Sequence, residues 1–138
     1  MRLAEDKSAK TLSYYLTDTD CKIGSELIEF LKKELKKNDI VRVSLHSNAD
    51  ELTQSMIIAI TKNADIKKHK NVKKDKIYYV IEGEMEFSLE DKKINVKKGE
   101  FFKLNKNTFM SLRSLSEIAI YNEMIAGPFK KEDTVYES

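Results

Sequence analysis

Hydrophobic spacing changes once along this chain, at Asp39, and that change limits the folds open to it. Before it, Leu27, Ile28, Phe30, Leu31 and Leu35 recur at the spacing of one helical face. Ser25 is placed to cap that helix. Glu26 and Glu29 fall early in it and Lys32, Lys33, Lys36 and Lys37 late, which suits the helix dipole, and Asn38 can end it. The expectation is one amphipathic helix over residues 26–37, docked on the rest of the domain. After Asp39 the period becomes two. Val41, Val43 and Leu45 alternate with Arg42, Ser44 and His46, and Gln54, Met56, Ile58 and Ile60 form one alternate set of a second strand. Further short apolar runs follow at 77–81, 85–89, 94–96, 101–104, 108–112 and 118–125. Polar turns separate them, such as Glu82-Gly83-Glu84 and Lys98-Gly99-Glu100. About eight short strands of this kind predict a β-sandwich or barrel.

Composition narrows the class. At 138 residues, with 41% apolar and 35% charged, the chain fits one domain with a single core. We divide it at 1–38, a lead-in and helix packed on the body, and 39–138, the β-structure. No apolar run approaches the roughly 20 residues of a membrane span, and no leader opens the chain, so a cytoplasmic protein with no membrane partner is expected. One cysteine, Cys21, excludes an internal disulfide and an all-cysteine metal site. A net charge of +2 does not suggest nucleic acid as a partner. The basic stretch 67–76 lacks interleaved aromatics. It reads as a solvated loop or as an electropositive lip for phosphorylated sugars. Motifs for dinucleotides, Walker-type nucleotides and α/β-hydrolase chemistry are absent.

Two stretches resemble the paired signatures of the cupins, small double-stranded β-barrels. The first can be laid on His69-Lys70-Asn71, Lys76 and Gly83. The second can be laid on Gly99, Asn105-Lys106-Asn107, Met110 and Ser114. A closer resemblance covers residues 40–129. The segments Val41-Arg42-Val43-Ser44-Leu45-His46, Gln54-Ser55-Met56-Ile57-Ile58-Ala59, Val80-Ile81-Glu82-Gly83-Glu84 and Gly127-Pro128-Phe129 look like the WbuC-type cupins. Those are small single-domain proteins of O-antigen and other surface-polysaccharide gene clusters. The resemblance implies a mainly β fold: one cupin-type double-stranded β-barrel, or jelly roll, preceded by the amphipathic helix. By analogy with cupins, and because Phe101-Phe102 needs cover, a homodimer is expected.

At the metal-ligand positions of that family this chain offers His69, Asn71, Lys76 and Met110. One imidazole and one amide do not hold a first-row metal against water, and the Lys76 ammonium repels a cation. The expectation is a degenerate metal motif with no cofactor. The alternative is a rearranged set of His46, His69 and Asp75 binding Fe, Mn, Ni or Zn.

The face bearing Arg42, Ser44, His46, Gln54 and Met56 matches the WbuC-type pattern and reads as a polar ligand site, with Arg42 for an anion. Asn71, Lys76, Met110 and Glu123 are further candidates. His46 or His69 is the candidate base and Tyr78 or Tyr121 the candidate acid. The expected ligand is a small anionic sugar, a phosphosugar or nucleotide-sugar, and the expected chemistry isomerisation or epimerisation. A non-catalytic binding or partner module stands beside it.

Overall fold

The computed structural model describes residues 1–137. In chain order its elements are β1 (Leu3–Glu5), β2 (Leu12–Leu16), α1 (Ser25–Glu34), β3 (Ile40–Ser44), β4 (Thr53–Thr61), β5 (His69–Asn71), β6 (Lys76–Glu82), β7 (Glu84–Ser88), β8 (Lys93–Lys97), β9 (Phe101–Leu104), β10 (Ser111–Ser114), β11 (Ile118–Ala126), a 3-10 turn (Lys131–Asp133) and β12 (Thr134–Tyr136). Seven strands form one sheet in the order β1-β2-β3-β4-β11-β6-β9. Three form a second, β10-β7-β8, and β12 pairs with β5 in a small ribbon. All pairings are antiparallel except β2 with β3.

The period-two alternation decides what each face of the large sheet meets. Val41, Val43, Ile57, Ala59 and Ile120 point outward, against Leu27, Leu31 and Leu35 of α1. Ile58, Ile60, Tyr78, Val80, Ala119 and Tyr121 point inward, against Met85, Phe87, Val96 and Leu112 of the small sheet. The helix thus covers the back of the large sheet, and the barrel interior lies between the sheets. Full burial of Leu31 alone is worth about 1.5–3 kcal/mol.

Two turn glycines set the barrel corners. Gly83 and Gly99 have φ of +85° and +87°, a region that side-chain-bearing residues avoid. The backbones of the two turns meet, with Lys98 N–H donating to the Gly83 carbonyl and Gly99 N–H to the Val80 carbonyl.

Several boundaries differ from the sequence expectation. The helix is Ser25–Glu34, shorter than residues 26–37, because Lys36 and Lys37 turn back to the Lys33 and Glu34 carbonyls and the Asn38 amide takes the Glu34 carbonyl at 3.0 Å. Gly24, not Ser25, is the N-cap. The lead-in before the helix forms two strands, β1 and β2, which extend the edge of the large sheet. The strand expected at 108–112 begins at Ser111, because Asn107 takes a left-handed turn (φ 63°) and Met110 pairs away from β7, with His69. Of the aromatic pair in β9, Phe102 packs on Tyr78 and Phe87, while Phe101 is 65% exposed. No helix among the described residues is long and apolar enough to cross a membrane.

Candidate functional site

Cross-strand register assembles the site. On the inward face one row runs Tyr15, Ser44, Met56, Glu123, Tyr78, Phe102 across β2, β3, β4, β11, β6 and β9. The adjacent row carries Arg42, Ile58, Tyr121 and Val80. Lys76, two residues before Tyr78, shares that face by strand alternation.

At the centre stands Glu123, buried at 8% exposure. Its Oε1 accepts the Tyr78 hydroxyl at 2.7 Å and meets Lys76 Nζ at 3.1 Å. Burial pushes the Glu123 carboxyl up, but the Lys76 ammonium, the Tyr78 hydroxyl and the Arg42 charge outweigh it. The net direction is down, so Glu123 is ionised at neutral pH. Burial and the neighbouring Glu123 charge hold both Tyr78 and Tyr121 above the ordinary phenol range. Both keep their protons, and that of Tyr78 is committed to Glu123.

Arg42 is half-buried and donates through Nη1 to the Thr11 hydroxyl at 3.2 Å. Its charge is felt at Glu123, Tyr78, Tyr121 and His69. Two cations therefore share one carboxylate, and the site carries a surplus positive charge.

His69 lies where β5 touches the barrel. Its backbone bonds Met110 in both directions, at 3.1 and 2.9 Å. Its Nδ1 is 2.7 Å from the Lys67 carbonyl, an acceptor only, so Nδ1 carries the proton and Nε2 a lone pair. Burial lowers the imidazole pKa, and Lys76 and Arg42 add to that against the Lys67 bond and Glu123. His69 is thus a neutral imidazole whose Nε2 has no hydrogen-bond partner among the described residues, within electrostatic reach of Arg42, Lys76 and Glu123. Met110 is fully buried in the inner core.

Other candidates lie elsewhere or are otherwise engaged. His46 follows the end of β3, edge-on to Tyr15, and its Nδ1 accepts the Ser55 N–H at 3.2 Å. Its Nε2 then carries the proton, so it is a donor and not a free base. Gln54 ties down the 49–51 loop through the Ala49 and Glu51 carbonyls at 2.9 and 3.1 Å. The Asn71 side-chain oxygen accepts the Lys73 and Lys74 N–H groups at 2.9 and 2.8 Å, an Asx turn that occupies the atom a ligand would need. Asp75 is exposed and accepts the Lys106 N–H at 2.7 Å. The alternative set of His46, His69 and Asp75 is therefore not built. Among the described residues, no three His, Cys, Asp or Glu side chains converge to hold a metal. With Lys76 on the carboxylate next to the single imidazole, the donors present do not fit a first-row cation.

The basic stretch is not a uniform lip. Lys70 sits over the Phe109 ring, Lys74 bonds the Pro128 carbonyl, Lys68 pairs with Glu137, and Lys76 turns inward. Sequence reasoning missed Tyr15 of β2 and Thr11 just before that strand, which join the site wall. Their signal was the alternation of Thr11, Ser13 and Tyr15 with Leu12, Tyr14 and Leu16.

The chain matches no family model, and it matches no curated protein in sequence. Solved structures do resemble it. KdgF from Halomonas sp. aligns at 20% identity and a TM-score of 0.58, over 68% of this chain and 83% of that one. A Streptomyces PAC13 variant with uridine aligns at 15% and 0.61, over 72% and 78%. PAC13 is described as a β-barrel and a nucleoside dehydratase. An HTH_3 family transcriptional regulator from Vibrio cholerae aligns at 14% and 0.54, over 73% and 60%. At these identities the likeness establishes the fold, a single cupin-type β-barrel with one helix.

Proposed function

We propose that this chain binds a small anionic sugar, a phosphosugar or nucleotide-sugar, at the barrel mouth. The observation that carries the proposal is the surplus cation: Arg42 and Lys76 face one ionised carboxylate, with neutral His69 beside them. Arg42 takes the anion, since its fork matches phosphate or carboxylate. Glu123 Oε2 accepts a sugar hydroxyl. The WbuC-like segments and the likeness to a barrel solved with uridine support a sugar or nucleoside ligand, and the former suggests surface-polysaccharide metabolism.

The same geometry supports isomerisation or epimerisation without a metal. His69 Nε2 removes a proton from the carbon next to a carbonyl and the Lys76 ammonium stabilises the oxygen charge that develops; the imidazolium then returns the proton to the neighbouring carbon while the adjacent hydroxyl proton passes to the former carbonyl oxygen, or to the same carbon after the intermediate has turned over. No electrons leave the substrate. The second reading, a binding module, is favoured by the two tyrosines that hold their protons, which leaves His69 without an evident partner acid.

A thermal-shift panel tests the proposal, with nucleotide-sugars and sugar phosphates against the same sugars uncharged. Anionic members at a hundredfold over Kd should add about 2.7 kcal/mol of stability, and Arg42→Ala should abolish the effect. Equal stabilisation by neutral sugars, or an unchanged response in Arg42→Ala, refutes it. Product formation from a stabilising ligand separates enzyme from binding module.

A further inference from the structure

The strand that carries His69 belongs to neither main sheet. On one side β5 is joined to the barrel through the His69–Met110 bridge and the bond from Asn107 N–H to the Asn71 carbonyl, 2.7 Å. On the other it pairs along its length with β12, setting Tyr136 opposite His69, Val135 opposite Lys70 and Thr134 opposite Asn71. The contact extends past the ladder. Val72 N–H donates to the Asp133 carbonyl at 2.9 Å, and Glu137 N–H to the Lys68 carbonyl at 3.2 Å. Lys68 Nζ meets Glu137 at 3.3 Å. The Tyr136 ring lies 5.7 Å from the imidazole, tilted by 40°. Lys74, in the turn after β5, reaches back to the Pro128 carbonyl at 2.6 Å.

These contacts hold position more than they bury surface. Tyr136 is 62% exposed and Val135 38%, so the hydrophobic gain at either is small. What β12 does supply is a second edge for a three-residue strand that would otherwise hang on one bridge and a turn, and a ring against the imidazole.

We infer that β12 is the positioning element of the site, with Tyr136 as the residue that fixes the His69 ring. Its consequence for function rests on the reading of His69 as the site's base; the positioning itself does not, and the experiment below needs no ligand. The imidazole contacts the Lys67 carbonyl and the Tyr136 ring of β12, and the charges that act on it are Lys76 from β6, Glu123 from β11 and Arg42 from β3. Loss of the β12 cover leaves those charges in place and admits water. The desolvation that holds the imidazole low is then relieved, and its titration midpoint rises.

The chain has two histidines, so NMR titration reads His69 with His46 as an internal reference. The variants are Tyr136→Ala, Tyr136→Phe and Val135→Pro. Ladder alternation, with bonds at Val72–Asp133 and Lys68–Glu137, points the Val135 N–H at Lys70, and proline removes it. The expected result is an upward shift of the His69 midpoint in Tyr136→Ala and Val135→Pro, an unchanged His46 titration, and wild-type behaviour in Tyr136→Phe. An unmoved His69 in Tyr136→Ala overturns the inference. So does a shift that His46 shares, because the change would then be global. If Val135→Pro fails to fold, Tyr136→Ala against Tyr136→Phe decides alone.

Discussion

Replacing Lys76 by methionine isolates the charge logic of the site. The substitution keeps an unbranched chain of similar length and removes the ammonium 3.1 Å from Glu123 Oε1. At an effective dielectric of about 20 the lost attraction is roughly 5 kcal/mol, part of which the wild type already loses to desolvation of the ammonium. Breaking a buried pair costs about 3–5 kcal/mol. The lower end applies here, because each side chain retains about a tenth of its exposure (12% and 11%) and Glu123 keeps Tyr78 and Arg42. With an unfolding entropy near 2.1 cal/mol/K per residue, a loss of about 3 kcal/mol lowers Tm by roughly 10 °C at pH 7. The deficit depends on pH. In the wild type the folded Glu123 pKa lies below its ordinary value, so its stabilisation is present above the unfolded pKa and lost as pH falls through the folded one. In Lys76→Met, burial dominates and pushes the carboxyl up. The variant's deficit should then shrink as acid protonates Glu123, and Glu123→Gln in the same chain should recover most of it at pH 7. Melts of the three proteins between pH 4 and 8 measure this. Lys76→Met melting like wild type at pH 7, or a deficit that grows toward acid, refutes the reasoning.

Other outcomes follow from the same structure. Gly99→Ala meets open space and should cost only the strain of a positive φ, about 1 kcal/mol. Gly83→Ala would also place its Cβ 2.6 Å from the Ile118 carbonyl oxygen and should cost clearly more, read as the larger fall in urea midpoint. Leu31→Ala empties a fully buried position between α1 and the sheet and should cost about 2–5 kcal/mol with the barrel retained, measured by urea unfolding and by circular dichroism. His46 and His69 are both held below the ordinary imidazole pKa, chiefly by burial. The unfolded state therefore binds more protons between the two sets of values, and stability should fall as pH drops from 7 toward 5. His46→Gln and His69→Gln should each flatten that slope, seen in urea midpoints across the range.

What was legible in the sequence is what repeats locally. The alternation of Arg42 and Ser44 with Val41 and Val43 separates the inner from the outer face of β3, and Gln54 through Ile60 does so for β4. Gly83 and Gly99 mark corners because their turns need positive φ. The ribbon of β5 and β12 left no such trace. Each strand has three residues, neither alternates apolar with polar, and backbone bonds join segments more than sixty residues apart. Thr11 and Tyr15 were hidden for a related reason: β2 is read as a site wall only once its parallel register with β3 is known. Gln54 and Asn71 were misleading in the opposite sense. Their amides are of the right kind for a ligand, but a side chain next to a turn bonds the nearest backbone first.

The pairing of Lys76 with Glu123 shows why identity at single positions understated this site. Read alone, Lys76 is one of six lysines in residues 67–76, most of which face water or find a partner on the surface. Read with β11 in register, it lies diagonally across from Glu123, and the ion pair sets a cation beside that buried carboxylate. The ammonium brings its charge covalently, so the arrangement needs no coordination number to be filled. It needs one carboxylate to balance it and one hydroxyl, Tyr78, to donate to that carboxylate. Among the described residues Arg42 has no carboxylate within ion-pair distance, and its half-buried charge is left uncompensated. On the proposed reading, that uncompensated charge is what draws an anionic ligand to the mouth, whether or not His69 goes on to move a proton.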